Sequence, residues 1–226
     1  MTEDLKNYDK KLVSYVLFNL ALLLILDFDI VSIIKNYEII TFILTVPIFY
    51  FPTYLINNFI PEKVKFNILY PFKDNHHYAS DIFTKILEKK LKVDSNLINI
   101  GLITKKYGYV KDPDFEDNLW YELYEKHRYE PKVYQHHRQF LFCRDLVIIS
   151  IPLFALLITL DLTLPFSHKH TICIIIISIV EWFLLKILTE YQNKKFALSV
   201  LQEETNTLKT NKHKSRISAK SKLTIN

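Results

Sequence analysis

Only two glycines, Gly101 and Gly108, occur in the 226 residues of this chain. No glycine-rich loop that cradles phosphates can be built from them, which excludes nucleotide-hydrolysing folds that depend on such loops. Cysteine is equally scarce, with Cys143 and Cys173 alone. Two cysteines rule out a disulfide-rich scaffold and fit a reducing compartment. There is no Cys-x-x-Cys and no His-Glu-x-x-His, so the usual zinc signatures are absent. The first eleven residues mix acids with lysines, and no small-residue cleavage pattern follows the apolar run before Asp27 and Asp29. A cleavable signal peptide is therefore not expected, and the first apolar run is expected to stay as a membrane span.

What the chain does have is apolar blocks. Hydrophobic residues make up 50% of it, yet its mean hydropathy is only +0.08, so the apolar content is concentrated rather than spread. Runs within residues 12–34, 38–60, 145–165 and 171–189 each approach the roughly 17 to 25 helical residues that cross about 30 Å of hydrocarbon. The expected fold is an all-α integral membrane protein: four transmembrane helices arranged as two hairpins (1–60 and 145–189) flanking a helical insert at 61–144. A helical extension over 190–204 and a disordered basic tail over 205–226 follow.

The basic residues set the orientation. Of 29, three lie in residues 1–11, fifteen in 61–144 and nine from Lys186 onward, while only Lys35 and Lys169 fall in the short connections within the hairpins. Bases near span ends stay on the cytoplasmic side, so both termini and the insert are expected inside the cell, in a bacterial inner membrane. The tail carries six bases and no acids, which suits anionic lipid heads at about 1 kcal/mol for each charge near the surface.

Within the insert, Ile82, Ile86, Leu87 and Leu91 recur at helical spacing. Asp94 or Ser95 is the expected start of a second helix that Gly108 closes, and Asp112 before Pro113 the start of a third that stops before Pro131. A fourth is expected to run from Pro131 without interruption into the third span.

Four groups of residues carry candidate chemistry. Glu181 lies about nine residues, or roughly 14 Å of helix, into its apolar run, where a charge costs about 2.5 to 3.5 kcal/mol on the lenient insertion scale. It is expected to turn inward toward Asn19, Tyr15 and Thr45, as a polar lining or subunit contact, or else to sit nearer the cytoplasmic interface. Arg144 and Asp145, at the entry of the third span, are candidates for coupling the insert to the membrane, or for local pairing while Arg144 reaches to the interface. Trp120, Tyr124, Arg128 and Arg138 form a candidate ligand or partner surface, with a small aromatic core as the competing account. His76, His77, His136 and His137 are weak metal candidates, since neighbouring histidines on a helix diverge by about 100° and cannot both grip one ion. No catalytic residue, cofactor or bound metal is expected.

The insert's fifteen bases are offset by twelve acids, too weak a surplus for a polyanion groove, so nucleic acid is not an expected partner. The expected partners are lipid, a cytoplasmic protein or a small anionic ligand, and further copies of the chain. The expected function is a non-enzymatic sensor or effector in which the insert controls the membrane bundle, with an oligomeric pore as one form. The alternatives are an accessory or scaffold subunit that recruits a partner, and a membrane-bound metal-dependent enzyme.

Overall fold

A computed structural model describes residues 5, 8–27, 59–70, 81–163 and 171–223. Among them every regular element is helical: α1 (Asp9–Asp27), α2 (Glu62–Leu69), α3 (Ile82–Leu87), α4 (Ile100–Tyr107), α5 (Pro113–His127), α6 (Pro131–Thr163) and α7 (Thr171–Leu223). The chain divides into two compact units, one of residues 1–72 with 140–190 and the other of 73–139 with 191–226. Helices α6 and α7 each contribute residues to both.

In the first unit, Leu12, Val16 and Leu20 recur every fourth residue on α1 and are buried, with Tyr8 continuing the row ahead of the helix. On α6 the run Leu146 to Ile149 is buried on consecutive positions, the mark of a helix enclosed on all sides. Pro152 lies inside α6 and leaves one backbone acceptor without its usual amide partner.

Among the described residues two helices, α6 and α7, are long and apolar enough to cross a membrane, where four spans were expected. They differ sharply in cover: 67% of the most apolar window of α6 is buried but only 11% of that of α7. The expected first span, 12–34, coincides with α1 as far as Asp27; the rest of it, most of 38–60 with Thr45, and His76 and His77 lie outside the described residues.

In the second unit, Phe83, Ile103, Leu123, Val133, Val200 and Leu201 form a core with no more than trace exposure. The start of α4 differs from expectation. Asn99 caps it, its side chain accepting from Leu102 N at 3.1 Å, while Asp94 instead accepts from Asn96 N at 2.8 Å in a local turn. Gly108 ends α4 at φ +74°, ψ 162°, a region all but reserved to glycine. Asp112 caps α5 by accepting from Phe115 N at 3.1 Å, with Pro113 in the first turn. Helix α3 is shorter than the apolar spacing suggested: it ends at Leu87, which is exposed, and Lys89 takes φ 58°.

The tail requires a correction. Residues 205–223 continue α7 instead of lacking structure. Composition judged the tail as an isolated peptide, but it inherits a nucleus: Thr205 is buried, accepts from Asn99 N at 3.1 Å and donates to Leu201 O at 2.9 Å. Extending a formed helix avoids the nucleation cost that a free segment would bear.

Candidate functional site

Three polar clusters are built into the fold, two in the first unit and one in the second. The largest centres on Asp145, on α6, which is fully buried. Its Oδ1 accepts from Arg144 Nε at 3.0 Å and Nη2 at 2.9 Å and pairs with Lys65 Nζ at 3.4 Å, while its Oδ2 accepts from Tyr8 OH at 2.6 Å. Glu62 on α2 takes the other edge of the Arg144 guanidinium through Nη1 and, at 3.3 Å, Nη2. Arg144 is itself 2% exposed and held by two carboxylates. The buried charges are Arg144, Lys65 and Asp145, and the exposed Glu62 carboxylate supplies the second negative charge from the rim, so that the cluster balances. Sequence reasoning picked out Arg144 and Asp145 but missed Tyr8, Glu62 and Lys65. They come from segments far away in the chain, and no local pattern announces them.

The second cluster joins Asn19 on α1 to Glu181 on α7, as the sequence suggested. Asn19 is buried, and its Nδ2 donates to Glu181 Oε1 and to its own-helix Tyr15 O, both at 3.2 Å. Tyr15 OH is buried close to the same carboxylate. Glu181 thus meets Asn19 and Tyr15 on its α1 side and is partly exposed, on a helix whose neighbouring apolar side chains are open.

The third cluster was not anticipated at all. Glu204 on α7 has no exposed side-chain surface, and four donors converge on it: Lys106 Nζ at 3.1 Å, Tyr107 OH at 2.8 Å, His127 Nε2 at 2.7 Å and Lys126 Nζ in close contact. Burial alone would raise its pKa, but the hydrogen bonds from Lys126, His127, Tyr107 and Lys106 outweigh burial and hold it down at about 2. The same unit also buries Glu116, which accepts from Thr84 N at 3.1 Å, from Thr84 OH and from Tyr109 OH at 2.9 Å. A signal for Glu204 existed. Phe196, Val200 and Glu204 are spaced by four, so the carboxylate continues a buried apolar row.

Of the expected ligand surface, Trp120 is buried, while Tyr124, Arg128 and Arg138 are partly exposed. Trp120 stacks on Tyr124 with ring centres 5.7 Å apart and meets Phe196 edge-on at 5.4 Å. His137 stacks on Phe196 at 4.4 Å, and its Nδ1 lies 3.0 Å from Tyr124 OH. These rings are the core of the second unit, so the aromatic-core account prevails. Arg128 pairs with Glu125 at 2.9 Å and lies over Tyr129.

Among the described residues no group of three His, Cys, Asp or Glu side chains is placed to hold a metal ion. His137 is committed to Tyr124 and Phe196, and the His136 ring is pushed toward its neutral form by burial and by Lys132 and Lys195. Among the described residues the arrangement offers two paired ionic cores, around Asp145 and Glu204, and a partly exposed carboxylate, Glu181, bonded to Asn19. No family model matches this sequence, and no curated protein or solved structure is significantly similar to it.

Proposed function

We propose that the chain is an integral membrane sensor or effector in which a helical module at the inner face of a bacterial membrane controls a transmembrane bundle. In this reading α6 and α7 supply two of four spans, and the stretches 12–34 and 38–60 are the others. Both termini and residues 61–144 face the cytoplasm.

The observation that carries the proposal is the make-up of α7. Over residues 172–188 its large apolar side chains are open on several faces, Ile172 at 71% and Leu184 at 60%, and farther along the same helix Glu204 is locked into a polar module. A soluble protein does not leave such a stretch uncovered, whereas hydrocarbon covers it at no cost. A change in the module that alters how α7 is held has a continuous helix along which to act. Glu181 is the polar group it would reach inside the bilayer.

Ion flux from liposomes separates this reading from its rivals. Wild type is compared with Glu181→Gln, inside the membrane, and with Glu204→Gln, in the module. The effector reading expects flux in the wild type, lost with Glu181→Gln and altered with Glu204→Gln although that residue is far along the helix. Equal and negligible flux from all three would remove the pore form. An accessory subunit is the second reading, favoured by Tyr121 and Tyr129, which the module leaves at 50% and 68% exposure. It expects a stoichiometric cytoplasmic partner, retained in Glu181→Gln and lost when both tyrosines become alanine.

A further inference from the structure

We propose that a second copy of this chain packs in parallel along one seam of α7, formed by Cys173, Ile177, Val180, Leu184 and Ile187, and that this contact completes the cover of Glu181. The inference rests on the membrane reading above.

The five residues are spaced four, three, four and three apart, which keeps them within about 40° of one line on an α-helix and matches the heptad period of left-handed helix pairs. All five are exposed: Cys173 is open, and Ile177, Val180, Leu184 and Ile187 stand at 37%, 53%, 60% and 52%. Membrane helices associate most often in this left-handed geometry. Because α7 is apolar on most sides, the seam must be told apart from its neighbours. The adjoining row Ile172, Ile176, Ile179 and Phe183 continues with the same spacing to Lys186 and then Glu190, whereas the row through Cys173 meets no charge before Tyr191.

Glu181 decides which row a partner covers. It follows Val180 by one position, about 100° around the helix. It therefore sits on the border between this seam and the buried face that carries Ile174 and Ser178. On its inner side Asn19 supplies a hydrogen bond at 3.2 Å and the Tyr15 hydroxyl lies close; among the described residues no other side chain bonds it, and its outer edge remains partly exposed. Acyl chains cannot solvate that edge. A second α7 packed on the seam covers it, so the Glu181 site is incomplete in one copy. The two helices run parallel because every copy is inserted with the orientation that its bases dictate.

Cys173 is a native probe of this geometry, since equivalent seam positions face each other across a parallel pair and Cys143 is buried. Membranes containing the full chain are washed with alkaline carbonate, treated with copper phenanthroline and run on a non-reducing gel. Wild type is expected to give a dimer band. In a Cys173→Ser background, Ile177→Cys, Val180→Cys and Leu184→Cys are expected to cross-link on the order of ten times more than Ile175→Cys and Ile179→Cys, as seam and flank positions of a helix pair do. Equal cross-linking at all positions, or none, in protein that remains in the washed pellet overturns this inference and leaves the membrane reading intact. Loss of the chain from the pellet overturns the membrane reading, and this one with it.

Discussion

Glu204 has its carboxylate enclosed by four donors, and its pKa of about 2 lies well under the ordinary 4.5. A group depressed on folding adds stability that is complete above its unfolded pKa and disappears as pH falls through the folded one. The second unit should therefore hold a stability contribution on the order of 3 kcal/mol above pH 4.5 and lose it progressively toward pH 2. Thermal unfolding followed by circular dichroism between pH 6 and about 2 checks this, and Glu204→Gln should flatten the profile over that window while lowering the melting temperature at neutral pH. Asp145 makes a different prediction. Asp145→Ala strands Lys65 and Arg144 without their shared acceptor and should cost about 3 to 5 kcal/mol. Tyr8→Phe, which removes one hydrogen bond to a charged group, should cost about 1.5 to 3 kcal/mol. Both are read from unfolding of the detergent-solubilised chain. At this scale the sequence was informative where a polar residue interrupts an apolar run, as Glu181 does. It was silent about Lys65 and Tyr8, whose burial depends on charges brought from 80 and 137 residues away.

Helix ends are where sequence and structure agree most closely, because caps are decided by one or two residues. Asp112 with Pro113 and the break before Pro131 were legible for that reason. The start of α4 was not, since Asp94, Ser95 and Asn99 are all capable N-caps and tertiary packing selected the last. Gly108 illustrates a cost confined to the backbone: a methyl group there would meet nothing within 4 Å, yet φ is +74°. Gly108→Ala should destabilise the second unit by about 1 to 3 kcal/mol through backbone strain alone, measurable as a lowered denaturation midpoint. The aromatic residues of α5 show the limit of pattern reading. Rings interleaved with bases fit a binding surface and a packed core equally well, and only the positions of Phe196 and His137, on other helices, decide for the core.

For the whole chain, the long exposed apolar stretch of α7 sets an experimental expectation. The protein should resist carbonate extraction, should require detergent to remain monodisperse, and should expose residues 61–144 to protease only in inverted vesicles; cleavage from the outer face of intact cells would reverse the orientation. The all-helical class was legible because apolar blocks and amphipathic periods are written locally. The number of spans was less so, since hydropathy marks four stretches and two of the described helices meet the length and composition required. The ionic cluster at Asp145 also bears on biosynthesis. Lys65 leaves the ribosome 80 residues ahead of the aspartate that neutralises it, an interval of about 4 to 16 s at 5 to 20 residues per second. Throughout that delay the lysine has no counter-charge from α6, so its segment must wait in water or among lipid headgroups. The first unit can close only after translation has passed residue 145.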